Sequence, residues 1–184
     1  MNEVQLRRVL ACVNTHSDTK FFVGVFAADR LPRKHTKPAA FIANTDVSGG
    51  GGVHWVAFFI PERGKPEYFD SYGLDTFIEG HLDFIARSKK TWLTNKKLLQ
   101  GLRSKVCGQY CLVYLICRMR GYSMKQFQSL FTKNVKKNDI QVRKCIQKYY
   151  KDDCNIKCKK RGQSCCAGIT HLLLAGGGRL RHIL

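Results

Sequence analysis

Four side chains in this 184-residue sequence have the types that thiol-based acyl transfer requires. Such chemistry needs a thiolate, an imidazole that takes and returns a proton, a group that orients the imidazole, and donors for the oxyanion. Cys107 lies at the start of the most apolar helical pattern in the chain, residues 106 to 119. Unpaired backbone N–H groups and the positive dipole end of a helix favour a thiolate below its free pKa of about 8.5. His54 lies in the run Val53-His-Trp-Val-Ala-Phe-Phe-Ile60, and Asp70 follows 16 residues later, at the end of Glu67-Tyr-Phe-Asp70. An antiparallel strand pair can bring those two side chains together. Gln100 precedes Cys107 by seven residues, and its carboxamide can donate to an oxyanion alongside the Cys107 backbone N–H. Gly108 leaves room for a substrate backbone, and Gly52 and Trp55 flank His54 as further candidates for substrate contact. Singly these signals are ordinary, since a His in an apolar strand is usually a core residue and a Cys opening a helix usually a small buried hydrophobe. Jointly, His-Trp on a strand, Asp-Ser-Tyr-Gly at the next strand end and Gln-Gly followed five residues later by Cys-Gly before a buried helix make a specific combination.

The elements that must hold these residues can be read from hydrophobic spacing. Val4, Leu6, Val9, Leu10 and Val13 are spaced as a helix, and Phe21 to Phe26 reads as a buried strand ending at the turn from Asp29 to Pro32. Ala39 to Ala43 and Val53 to Ile60 read as further strands, separated by a polar segment with four consecutive glycines, Gly49 to Gly52. Pro61 to Pro66 is a turn, and Glu67 to Asp70 returns antiparallel. A helix is expected from Leu74 to about Ala86, although Gly80 interrupts it; residues 91 to 99 fit either a strand or a loop. After the Cys107 helix, which Gly121 should end, two helices are expected near Ser123 and Asn138. The expected fold is α+β and papain-like, with a central nucleophile-bearing helix packed on a mixed, mostly antiparallel sheet. It occupies residues 1 to 150, and 151 to 184 form a basic Cys- and Gly-rich appendage.

Composition narrows the functional classes. With 44% hydrophobic residues the chain can build a core, which excludes a wholly disordered basic tail. The longest apolar run, Cys111 to Cys117, is far short of the roughly 18 residues of a membrane span, so no membrane role is expected. Nine cysteines without a recognisable secretory signal argue against an extracellular disulfide framework, so an intracellular protein is expected. The net charge of +19 is uneven: residues 1 to 90 hold 12 basic and 10 acidic residues, and 91 to 184 hold 20 and 3. A half of net charge +17 is a candidate surface for DNA or another polyanion.

The segments around these residues resemble the adenovirus maturation protease (adenain) family. The likeness lies in Gly51-Gly-Val-His-Trp-Val-Ala-Phe58 with Ile42-Ala-Asn-Thr45 before it, Phe22-Val-Gly-Val-Phe26, Asp29-Arg-Leu-Pro32, Asp70-Ser-Tyr-Gly73, Gln100-Gly101 and Cys107-Gly-Gln-Tyr-Cys111. It covers residues 4 to about 150, with sparse matching after 120. The order of the four residues is that of the wider clan, which includes the proteases of SUMO and related modifiers. The resemblance implies Cys107 as nucleophile, His54 as general base and acid, Asp70 as its orienter and Gln100 as oxyanion donor. It also implies cleavage of viral precursor polypeptides at Gly-Gly-type sites, DNA as an activator without a required metal, and a monomer working in the virion and host nucleus. The family has a glutamate where this chain has Asp70. The family's activating peptide is attached by a disulfide upstream of the glutamine; no cysteine lies between Cys12 and Cys107 here, so any peptide activator would act without that bond.

The appendage adds two candidates. Leu174-Ala-Gly-Gly-Gly178 resembles the family's cleavage pattern, which implies self-cleavage after Gly177; a flexible glycine-rich tail is the alternative. Cys154, Cys158, Cys165, Cys166 and His171 are a candidate zinc set, although their spacing matches no strong finger pattern. Two rival functions therefore stay open: a deconjugating protease for a ubiquitin-like modifier, and a basic zinc or nucleic-acid-binding module.

Overall fold

A computed structural model describes residues 1–152 except 16 and 18, the last five by backbone course alone. The chain forms α1 (Glu3–Thr15), β1 (Phe22–Phe26), a 3-10 turn (Ala28–Arg30), β2 (Ala39–Asn44), β3 (Trp55–Ile60), β4 (Glu67–Phe69), α2 (Glu79–Arg87), β5 (Leu93–Thr94), α3 (Cys107–Met119), α4 (Met124–Ser129) and α5 (Val135–Asp152). The five strands make one sheet in sequence order. Its centre, β2–β3–β4, is antiparallel, whereas β1 and β5 run parallel to their neighbours at the two edges. The expected α+β architecture, a central helix packed on a mixed sheet, is what forms.

The near-continuous apolar runs of β2 and β3 reflect a sheet covered on both faces. Ala40, Ile42, Ala57, Phe59 and Phe69 join the larger core with α1, α3 and α5, and Phe127 of α4 adds to it. Their alternates Ala39, Phe41, Ala43, Val56, Phe58, Ile60 and Tyr68 face the other way, against Phe84 of α2, Leu31 and Trp92. α3 is buried at every residue except Gln109 and Arg118, so it needs a sheet on one side and helices on the others.

Three boundaries differ from the sequence reading. β3 starts at Trp55 and not at Val53, which leaves His54 just before the strand. α2 starts at Glu79 and not at Leu74: Leu74 and Phe77 face solvent, and the Thr76 hydroxyl accepts the Ile78 N–H and bonds the His81 ring, fixing a turn there. Gly80, read as a weakness in that helix, is what lets it dock, because a Cβ there would lie 2.1 Å from the Ala28 carbonyl oxygen. α5 starts at Val135, where the Asn134 side chain accepts the Lys137 N–H. α4 has the Ser123–Gln126 capping box, and the ambiguous segment 91–99 contributes only the two residues of β5.

A buried ion pair ties the sheet to the central helix. Glu67 of β4 accepts from Arg118 Nε at 2.6 Å and Nη2 at 3.0 Å, and also from the Tyr114 hydroxyl. Both charged side chains are largely withdrawn from water. Removing one partner strands the other charge, so Arg118→Ala is expected to lower the unfolding free energy by about 3–5 kcal/mol. Lys96→Ala, which breaks the exposed Lys96–Asp75 pair, should leave the denaturant midpoint nearly unchanged.

Candidate active site

The register of the central ladder decides which residues meet beyond its end. Ala57 pairs with Phe69, Phe58 with Tyr68 and Phe59 with Glu67. Continued past the last pair, this register sets Asp70 opposite Val56 and His54 opposite Tyr72, making His54 and Asp70 diagonal neighbours. The His54 Nε2 atom lies 2.8 Å from Asp70 Oδ1, and its ring stacks on Tyr72 at 4.9 Å between centroids.

Asp70 is held more firmly than a strand end requires. The Asn95 side chain accepts the Asp70 N–H at 2.9 Å and donates to the Asp70 carbonyl at 2.7 Å, a two-point clamp from just after β5. The Tyr72 N–H donates to Asp70 Oδ1 at 2.9 Å, fixing the carboxylate's orientation. Gly73 closes the turn with φ +74°, and a Cβ there would lie under 3 Å from the backbone of Lys96 and Lys97. Asn95 has no counterpart in the sequence reading, because an Asn in an ambiguous segment carries no signal until β5 is paired with β4.

Cys107 is the first residue of α3, preceded by Val106, whose side chain caps nothing. With Nε2 on Asp70, the ring has Nδ1 left to face a thiol, and His54 and Cys107 each bear on the other's ionisation. Burial opposes the charge on His54, but the hydrogen bonds to Asp70 and Cys107 and their negative charge outweigh it, raising its pKa to about 9. Burial likewise opposes a thiolate at Cys107; the His54 hydrogen bond and charge, with the Trp55 and Gly108 backbone N–H groups, lower its pKa nonetheless. The other buried thiols move the opposite way: burial pushes Cys117 and Cys145 up to about 12 and raises Cys111 as well. Of these four cysteines, Cys107 is the one whose surroundings favour a thiolate, paired with the His54 imidazolium.

Gln100 is fully buried between Ser71 and α3. Its oxygen accepts from the Ser71 hydroxyl at 2.7 Å, and its Nε2 donates to the Ser104 carbonyl at 2.8 Å and to the Tyr72 hydroxyl at 3.1 Å. Both amide hydrogens are thus engaged, the bond to Tyr72 being the longer. The backbone on either side is anchored from the helices: Asp139 accepts from the Gly101 N–H, Asn138 donates to the Leu99 carbonyl, and the Tyr110 hydroxyl lies within donating distance of both that carbonyl and Asp139. Tyr72, Asn138 and Asp139 are further residues that spacing alone did not single out.

The expected substrate contacts receive different places. The space beside Gly108 belongs to the core and not to a substrate backbone: a Cβ there would meet Leu6 at 3.1 Å and Trp55 at 3.4 Å. Trp55 is half-buried, and Trp55 and Gly52 line a cavity of about 710 Å³ between the start of α1, the end of β1 and the glycine segment. Gly52 donates its N–H to Asp46, and on the opposite face of the sheet His81, buried and held neutral by desolvation with its pKa lowered to about 4, hydrogen-bonds the Asn44 carbonyl. Among the described residues no cluster of His, Cys, Asp or Glu could hold a metal. The candidate zinc set Cys154, Cys158, Cys165, Cys166 and His171, and the candidate cleavage point at Gly177, lie outside the described residues. No described helix is long and apolar enough to cross a membrane.

Because Asp70 helps keep His54 protonated, its replacement should raise the pH at which the thiolate forms. The rate of Cys107 alkylation by iodoacetamide at pH 7 is expected to fall roughly tenfold in Asp70→Asn, as its titration midpoint moves up about one unit. An unchanged profile would show that Asp70 does not tune the pair.

No family model and no curated protein matches the sequence. Among solved structures, the chain is similar to the ASFV pS273R protease, determined in its selenomethionine form, with 25% identity over 72% of this chain and 51% of that one and a TM-score of 0.42. The chain thus spans about half the length of that protease.

Proposed function

We propose that this chain is a cysteine endopeptidase that cleaves viral precursor polypeptides at Gly-Gly-type sites during virion maturation, with DNA as activator. The observation that carries the peptidase reading is the His54–Asp70 contact of 2.8 Å, with Cys107, whose pKa the His54 imidazole lowers, at the start of a buried helix. The Cys107 thiolate attacks the scissile carbonyl carbon, and the displaced electron pair collects on oxygen. Backbone N–H groups at the start of α3 and the Gln100 amide, released from Tyr72, receive that oxyanion. As the tetrahedral species collapses, His54 Nδ1 gives its proton to the departing amine and a thioester remains. His54 then takes a proton from water, whose oxygen attacks the thioester, and the acid product leaves as the thiolate is restored. Gln100→Ala is expected to lower kcat by roughly 10² to 10³ and Tyr72→Phe by less, while Cys107→Ala leaves no turnover. Turnover of the wild type should fall above pH 9, where His54 loses the proton that the leaving group needs.

Gly-Gly specificity rests on the likeness of the His54 and Cys107 segments to the adenain family. DNA assistance rests on charge: the C-terminal half carries net +17, and Lys133, Lys136, Lys137 and Lys144, in and just before α5, are exposed. A cationic enzyme on DNA meets DNA-bound substrates at raised local concentration, within the virion and host nucleus in this reading. The test is hydrolysis of a fluorogenic Leu-x-Gly-Gly peptide with and without duplex DNA, at low and high salt. Cys107-dependent cleavage that DNA stimulates and salt suppresses is the expected outcome. Equal rates with and without DNA at low salt would remove DNA from the function. Cleavage only of a folded modifier fusion would move the enzyme to the deconjugating class.

A further inference from the structure

Tyr72 touches three of the four site residues at once. Its ring stacks on the His54 imidazole at 4.9 Å between centroids and 27° between planes, its N–H donates to Asp70 Oδ1, and its hydroxyl oxygen accepts from Gln100 Nε2 at 3.1 Å. A phenylalanine would serve the first two contacts; the third needs the hydroxyl. A phenol hydroxyl also has a hydrogen of its own to donate. Among the described residues that hydrogen of Tyr72 has no acceptor, because the one hydrogen bond at its oxygen is the bond it accepts from Gln100. The hydroxyls of Tyr110 and Tyr114, by contrast, both find acceptors in the core, the Leu99 carbonyl and Asp139 for one and Glu67 for the other.

The surroundings suit this hydrogen to the developing negative charge of acyl transfer. The hydroxyl is bonded to the Gln100 amide, whose nitrogen also donates to the Ser104 carbonyl, three residues before Cys107. Burial raises the phenol's pKa, and the negative charge of Cys107 raises it further, so Tyr72 keeps its hydrogen throughout the range in which His54 is protonated. When the Gln100 amide turns from Tyr72 to the oxyanion, the Tyr72 oxygen is left about one hydrogen-bond length from that nitrogen, with a hydrogen to donate. We propose that the Tyr72 hydroxyl is a second side-chain donor of the oxyanion hole, donating to the same oxygen as the Gln100 amide. No proton changes hands: the hydrogen stays on Tyr72, and its bond strengthens as charge collects on the substrate oxygen and weakens as the carbonyl re-forms. This deepens the peptidase reading and rests on it.

The test compares the wild type with Tyr72→Phe, which keeps the ring and removes the hydroxyl. Three quantities are read: turnover of the fluorogenic Leu-x-Gly-Gly peptide, affinity for the aldehyde Leu-x-Gly-glycinal, and alkylation of Cys107 by iodoacetamide. Addition of Cys107 to the aldehyde leaves an oxygen where the oxyanion forms, whereas alkylation displaces iodide and forms no oxyanion. In Tyr72→Phe, kcat should fall about tenfold with KM within about twofold, and the aldehyde should bind about tenfold more weakly. The alkylation rate and its pH midpoint should not move. The aldehyde should also bind more weakly to Gln100→Ala with Tyr72→Phe than to Gln100→Ala alone, because the hydroxyl donates even where there is no carboxamide to hold. Equal aldehyde affinity within either pair of proteins would overturn the donor, in the second pair by reducing Tyr72 to a support for Gln100. Slower alkylation in Tyr72→Phe would overturn it as well, by making Tyr72 a support for His54 and Cys107. In each of these cases turnover by the wild type leaves the peptidase standing. A wild type that cleaves nothing would overturn the peptidase reading and the donor with it.

Discussion

The structure depends on a helix with almost no face to give to water. α3 is buried at all but two of its residues, and such a helix is stable only when enclosed. The sheet covers one side through Ala57, Phe59 and Phe69, and α1, α4 and α5 cover the rest. Enclosure leaves the helix ends as the places where it can meet a ligand, and Cys107 occupies the N-terminal one. The dipole of a well-ordered helix and its unpaired N–H groups are therefore set at the sulfur by the same packing that hides the rest of α3.

A polar layer locks the orientation of that helix against the sheet. Glu67 and Arg118 meet across the interface of β4 and α3, with Tyr114 adding a hydroxyl to the same carboxylate and Arg118 lying over the Phe59 ring at 4.5 Å. An apolar interface alone tolerates sliding by a fraction of a turn, but a two-point charged contact does not. At the other end of the helix, Tyr110 and Asp139 fix the segment 99–101 beside Cys107. The helix is thus pinned at both ends by buried hydrogen bonds, and the short distances of the site require that pinning.

The residues proposed to carry the chemistry were legible in the sequence because their local settings announce them: a cysteine opening the most apolar helix, a histidine beside a tryptophan at a strand, an aspartate ending the returning strand. The residues that hold them were not. Asn95, Asn138 and Asp139 act through hydrogen bonds to backbone groups of residues 25 to 39 positions away, and nothing in their immediate neighbours signals this. Gly80 shows the same limit from the other side. Its sequence context marks a helix weakness, while its use is a close approach to the Ala28 carbonyl that only the packed fold defines. Gly108 has a tertiary reason too, since Leu6 and Trp55 fill the space that a side chain would take.

The α+β class, the order of the elements and the residue types able to perform thiol chemistry can be read along the chain, because hydrophobic period and residue type are local properties. Packing settles that His54 and Asp70 come within 2.8 Å, that Cys107, of the four buried thiols among the described residues, is the one drawn toward the thiolate, and that Gln100 is held by Ser71, Tyr72 and Ser104. Strand register and burial set these features. Register sums pairings across the whole ladder, and a slip of one residue would turn His54 to the other face. Burial raises or lowers a pKa according to which charges share the enclosed space, and that is known only once the chain has closed around them.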